Sequence, residues 1–389
     1  MTTADFDRII DRRGTESTKW DRLRVEYQDE DLLPLWLADM DFATSEAIRD
    51  ALVRRAEHPI YGYTDRGPLY PRLFADRFRT RYGVPVESDN VVLSTGVMYS
   101  IAAAISLFTQ PGDSIVIPRP CYHPFVATVV GSRRRPVFSD MLPGEHGYEY
   151  DWDGLERAAA EATAIIVCNP HNPTGRVCTE DELRHLADIA EKNDLLVISD
   201  EIHADFTYAP HALTPIANLG KGIRGRLVSC VSPTKSFNLA GVKVSAALIW
   251  NPDMLSRFRA HASTIGISSI NIFALEALKA AYLESQDWQD ELLSHLEKNR
   301  GVVKAFIEAH APQVEAHLPE GTYFYWMRLP GMHGAYERLI REGHVALGNG
   351  RDFHPDADEF VRLNFACPRT ILDEALSRIG RVLEGGMPA

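Results

Sequence analysis

The chain has little cysteine and no pairing pattern for what it has: Cys121, Cys168, Cys178, Cys230 and Cys367 are scattered, odd in number and form no Cys-x-x-Cys. That spacing argues against a disulfide framework and a thiolate zinc site, and free thiols are expected. Long apolar runs are missing too. No stretch approaches the roughly 20 residues that cross a bilayer, and Met1-Thr-Thr-Ala-Asp-Phe-Asp-Arg8 lacks the charged-then-apolar order of a secretory signal. A cytoplasmic protein without membrane association is expected. Positive charge is short as well: 41 Lys and Arg against 54 Asp and Glu leave −13, which argues against a general nucleic-acid surface. There is no internal repeat and no low-complexity linker. What remains, 389 residues with 45% hydrophobic and 24% charged residues, suits a globular small-molecule enzyme with one large domain and a smaller companion.

Short apolar runs alternate with helical patterns through the middle of the chain, the mark of parallel strands joined by helices. Ser114–Pro118, Ala164–Cys168, Leu195–Ser199, Leu227–Val231 and Val244–Trp250 are short and mostly apolar, as strands covered on both faces are. Thr179 with Glu182 makes a capping-box signature, and Leu183, Leu186, Ala187 and Ala190 continue one apolar stripe, predicting a helix. From residue 286 the pattern changes to long amphipathic stretches such as Trp288 to His310, interrupted by the aromatic run Gly321 to Arg328. The opening segment, which contains Pro34-Leu-Trp-Leu-Ala-Asp-Met-Asp-Phe42, precedes the alternation and is expected to pack with that carboxy-terminal part. The expected division is a large domain over 48–285 and a small one from 1–47 and 286–389.

Several residues combine into one chemistry. Lys235, in Ser232-Pro-Thr-Lys235 after the run Leu227–Val231, places an amine at a strand end, where it can form a Schiff base. Breaking a bond at the α-carbon of an amino acid needs an electron sink, which pyridoxal phosphate supplies. Asp200, closing the run Leu195–Ser199, suits the ring nitrogen, and the amide of Asn172 in Asn-Pro-Thr-Gly175 suits the ring oxygen. Thr95-Gly96-Val97 is a strand-to-helix junction whose free N–H groups can cradle a phosphate, with Ser232 and Lys243 as candidate additions. Arg362 is the candidate fork for the substrate carboxylate, and Tyr122, just past a strand end, the ring to stack on the cofactor. Lys235, Tyr122 and Asp200 are thus the catalytic candidates.

The ordered set Tyr61-Gly-Tyr63, Thr95-Gly-Val97, Tyr122, Asn172-Pro-Thr-Gly175, Asp200-Glu-Ile-His203, Ser232-x-x-Lys235 and Arg362 resembles the fold-type I aminotransferase superfamily across most of the chain. More narrowly, Trp36-Leu-Ala-Asp-Met-Asp-Phe42, Ser199-Asp-Glu-Ile-His-Ala-Asp205, Lys235-Ser-Phe-Asn238 and Arg362-Leu-Asn-Phe-Ala-Cys-Pro-Arg369 resemble the MalY/PatB group of cystathionine β-lyases. The resemblance implies an α/β fold with a mainly parallel seven-stranded sheet flanked by helices, plus a smaller α/β domain. It implies pyridoxal 5'-phosphate on Lys235, His203 in place of a tyrosine near the ring oxygen, and a homodimer in which Tyr63 reaches the neighbour's phosphate. The activity implied is β-elimination from cystathionine or a related sulfur conjugate, with transamination as the rival. Lys243 stands where aminotransferases carry a phosphate-binding arginine, and a lysine cannot reproduce the bidentate contact. Residues 346–353 also depart from the group's pattern, which leaves the substrate open.

Other readings are weaker. Ser232-x-x-Lys235 and Ser88-Asp-Asn90 match pieces of a serine acyl hydrolase in the wrong order, with no Lys-Thr-Gly. Gly220-Lys-Gly222-Ile-Arg-Gly225 fits a dinucleotide pattern but precedes a strand and is expected to open no helix. Asp200, His203 and Asp205 lack a second histidine at ligand spacing, so no metal is expected. Arg133-Arg-Arg135 is expected to be a solvated edge.

Overall fold

A computed structural model describes residues 4–65, 67–144, 147–267 and 269–385; Met1 to Thr3 of the amino-terminal reading lie outside them. The strands of the large sheet are β1 (Val91–Ser94), β2 (Ser114–Arg119), β3 (Arg135–Gly144), β4 (Gly147–Tyr150), β5 (Ala164–Cys168), β6 (Leu196–Asp200), β7 (Leu227–Val231) and β8 (Ser245–Ile249). They form one eight-stranded sheet in the order β1-β8-β7-β6-β5-β2-β3-β4. The pairs from β7 through β3 are parallel, whereas β8 runs antiparallel to both of its neighbours. The seven expected strands gain an eighth, because β4 folds back on β3 as an antiparallel hairpin.

The apolar runs are continuous because both faces of the sheet are covered. Val116, Ile165, Val197 and Leu248 share one core with the helices α2 (Leu69–Tyr82), α5 (Trp152–Ala159) and α6 (Glu180–Lys192). Their strand neighbours Ile115, Ile166, Ile198 and Ile249 share another with α3 (Val97–Phe108), α4 (His123–Gly131) and α7 (Pro252–Thr264). Alternate side chains thus feed opposite layers. Helix α6 begins with the expected capping box: the Glu182 N–H donates to Thr179 Oγ1 at 3.2 Å, and the Thr179 N–H donates to Glu182 Oε2 at 2.8 Å.

A third core contains Phe6, Leu35, Met40 and Phe42 together with Leu292, Leu296 and Val303 of α9 (Gln286–His310), and with α11 (Arg369–Gly385). It lies on a four-stranded sheet of β9 (Glu315–Ala316), β10 (Phe324–Arg328), β11 (Gly348–Asn349) and β12 (Phe360–Asn364), ordered β9-β10-β12-β11 and antiparallel throughout. The amino-terminal segment therefore packs with the carboxy-terminal part.

Two local expectations are corrected. Arg133 and Arg135 are exposed as expected, but Arg134 is 8% exposed: its guanidinium donates to Thr109 O at 2.6 Å and Ser132 O at 2.5 Å, holding carbonyls at the ends of α3 and α4. Gly220 does open a helix, although it is only the turn Lys221–Arg224 leading into β7. The five cysteines are free and buried, and no helix among the described residues is long and apolar enough to cross a membrane.

Candidate active site

The loops leaving the carboxyl ends of β5, β6 and β7 lie along one sheet edge, the place where open α/β sheets bind ligands. Since β1 opposes β8 and β8 opposes β7, the end of β1 that leads into α3 meets the same edge. Asp200 ends β6, in register with Cys168 of β5 and Cys230 of β7, so these three side chains share a face. It is 4% exposed, and among the described residues its carboxylate accepts a hydrogen bond from the Ile202 N–H at 3.1 Å. Burial pushes its carboxyl up to about 7, against the pull of that N–H and of the Lys235 charge.

Lys235 follows β7 and is partly buried. Its ammonium donates to the Ala38 carbonyl, and burial brings its pKa down to about 8, opposed chiefly by Asp39. The adjacent Ser236 hydroxyl donates to Asp205 at 2.5 Å, and Arg77 donates to the same carboxylate at 2.8 Å. Asp205 is therefore held in an ion pair with Arg77.

Asn172 and Arg362 meet directly, the guanidinium donating to the Asn172 side-chain oxygen at 2.7 Å and to the Trp36 carbonyl at 2.7 Å. The guanidinium also lies over the Phe324 and Phe353 rings, 4.1 and 4.8 Å from their centroids. Far from a strand edge, Arg362 is 4% exposed in the middle of β12, and burial lowers its pKa to about 10. Gly175 ends the Asn172 turn at φ +73°, where a Cβ would stand 2.7 Å from Pro319; only glycine fits the turn.

Tyr122 caps α4 and is partly buried, edge-on to Phe125 at 5.5 Å. His203 is 3% exposed between Tyr323 and Phe324, and burial holds it well below its ordinary pKa, in the neutral form. Gly96 and Val97 open α3, and a Cβ on Gly96 would meet nothing within 4 Å, so the space above the helix start is clear. Ser232 donates to the Val244 carbonyl at 2.7 Å, which commits its proton within its own loop. Lys243 is exposed at φ 56° and Tyr63 is 106% exposed.

His203 Nδ1 and Arg362 Nε are buried without a partner, and Asp200 has no ion pair among the described residues. Unspent donors around a buried carboxyl and a lysine fit pyridoxal phosphate, whose ring nitrogen, ring oxygen and anionic group need such partners. Sequence reasoning missed the roof. The Tyr323 hydroxyl joins Lys235 on the Ala38 carbonyl at 2.9 Å, and Asn364 and Asn238 hold the carbonyls around it. The motif Trp36–Phe42 marked the segment, but a backbone carbonyl has no residue type to reveal it.

Fold and site together define an α/β protein with a partly buried amine, a buried carboxyl and a buried guanidinium gathered along one edge of its large sheet. Residues 30–379 match the family described as aminotransferase class I and II, and the chain belongs to that family. Among curated relatives, cystathionine beta-lyase PatB of Bacillus subtilis (strain 168) is 35% identical over 387 residues, covering 97% of this chain and 100% of the relative. The crystal structure of cystalysin from Treponema denticola, which contains a pyridoxal 5'-phosphate cofactor, matches with TM-score 0.94 and 28% identity over 99% of this chain and 100% of that one. The PLP-bound C-S lyase from Staphylococcus hominis matches with TM-score 0.91 and 28% identity, covering 98% of each chain.

Proposed function

We propose that the protein is a pyridoxal-phosphate-dependent carbon–sulfur β-lyase that converts cystathionine or a related cysteine S-conjugate, with water, to a thiol, pyruvate and ammonia. The observation that carries this is the Lys235 amine at about 8 beside the buried Asp200 carboxyl at about 7, with Arg362 held over the same edge. The relatives named a cystathionine β-lyase and a C-S lyase support the reaction class. When bound, pyridoxal phosphate supplies an aldehyde for amines and a sink for the electrons of the α-carbon.

Asp200 would hold the ring nitrogen, Asn172 and His203 the ring oxygen, and Tyr122 the ring face. The α3 start at Gly96 and Val97 would hold the phosphate. Arg362 binds the substrate carboxylate and so orients the α-carbon. A pKa near 8 leaves a useful fraction of Lys235 neutral at physiological pH, so its Nζ can take the α-proton. The electrons left behind expel the thiolate from the β-carbon. Arg362's place between two aromatic rings keeps water away from that carboxylate and strengthens the grip.

We further propose a homodimer in the cytoplasm. The outward Tyr63 ring, with Ile60 and Tyr61 exposed beside it, supports a contribution to a neighbouring chain's phosphate site, and free thiols support a reducing compartment. Incubation with cystathionine and no keto-acid acceptor should release pyruvate and thiol, and Lys235→Ala should release neither. Strict dependence on an acceptor would sink the lyase reading in favour of transamination.

A further inference from the structure

The segment from Trp36 to Phe42 has no regular secondary structure, yet most of its carbonyls are engaged by side chains. Arg362 takes Trp36 O, Asn364 takes Leu37 O and Asp39 O, Lys235 and Tyr323 take Ala38 O, and Asn238 takes Met40 O and Phe42 O. On its outer side lies a buried charge cluster. Lys19 is 0% exposed and donates to Asp41 at 2.7 Å and to the Asp39 carbonyl at 3.0 Å. Arg12 bridges Asp39 and Asp41 at 2.8 and 2.6 Å, and the Trp20 indole donates to Asp41 at 2.9 Å. The Lys19 carbonyl in turn accepts the Trp36 indole N–H at 3.1 Å. One residue thus grips the segment at both ends.

We propose that Trp36–Phe42 is a positioning strap, locked by the buried Lys19–Asp41–Arg12 cluster, that holds the Lys235 amine and the Arg362 guanidinium in one fixed relation. The inference deepens the lyase reading and rests on it for the catalytic consequence only. Burying a lysine is unfavourable unless its partners are fixed, so the cluster has one arrangement and passes it to the carbonyls. The cluster also acts through charge. Lys235 faces Asp39 of the strap, Asp200 of β6, Arg362 of β12 and Lys19 behind the strap, with His203 and Tyr323 close by. Asp39 favours its ammonium form and Lys19 opposes it.

The test is amine-reactive labelling of Lys235 against pH in the cofactor-free full chain, read by peptide mass spectrometry, alongside KM and kcat on cystathionine. Lys19→Met should move the labelling midpoint up and raise KM about tenfold as Arg362 loses its register. Asp39→Asn should move the midpoint down. A strap that only adds stability would lower the melting temperature and leave midpoints, KM and kcat at wild-type values, and that result would overturn the proposal. If Lys19→Met does not fold, Trp20→Phe, which removes a single bond to Asp41, should raise KM in the same direction by less; an unchanged KM would overturn the proposal equally. A wild-type chain without lyase activity would defeat the functional reading, while the labelling shifts would still decide the strap.

Discussion

Asp200 sits where folding and chemistry pull in opposite directions. Its folded pKa of about 7 lies above the ordinary 3.8, so between those values the folded chain binds the extra proton. Stability is then lost as pH rises through the window, at about 1.4 kcal/mol per pKa unit. Asp200→Asn has nothing to titrate there. Urea unfolding of the cofactor-free proteins should show the variant gaining on wild type, by a few kcal/mol, between pH 4 and pH 8. The same variant should bind pyridoxal phosphate at least tenfold more weakly by absorbance titration, because the neutral amide cannot pair with a protonated ring nitrogen. An unchanged difference across that pH range would show that the carboxyl is not desolvated. Lys235, Asp200, Asn172 and Arg362 could be proposed before folding because their side chains are themselves the proposed chemistry. Ala38 could not, since any residue offers the same carbonyl.

Elements were legible where burial left a simple pattern. Ala164–Cys168 and Leu227–Val231 match β5 and β7 to the residue, and β6 is displaced by one position to end on Asp200. The β3–β4 hairpin escaped because Arg135–Gly144 mixes charge, proline and apolar residues at the sheet edge, where one side is open and no apolar run is required. Helix α6 was announced by its cap, and the cap carries a prediction. Thr179→Ala removes the acceptor of the Glu182 N–H and should cost about 1 kcal/mol, seen as a lower melting temperature. The kcat should stay at the wild-type value, because α6 packs on the face opposite Asp200. A fall in kcat without a fall in melting would mean that this helix reaches the site.

For the whole molecule, we assign 48–285 to a large domain and 1–47 with 286–389 to a small one, a division supported by the core that Phe6, Leu35 and Phe42 share with Leu292 and Leu372. The site draws on both, Lys235 and Asp200 from one and Arg362 and the strap from the other. The proposed dimer adds Tyr63 from a second chain. Mixing Lys235→Ala with Tyr63→Ala chains under exchange conditions should restore one intact site per mixed dimer, about a quarter of wild-type sites at equal ratio. Pyruvate release no higher than the mean of the two separate variants would rule out shared sites.

By itself the sequence determined the layered class of fold and supplied the groups for the proposed chemistry: the amine, carboxyl, amide and guanidinium are side-chain identities, and buried strands must be apolar on both faces. Only the tertiary structure decided how they act. Desolvation set Lys235 near 8 and Asp200 near 7, and packing turned the backbone of Trp36–Phe42 into the roof that holds Lys235 and Arg362. Both effects come from neighbours distant in the chain, and so from distances and exclusion of water that no local pattern encodes.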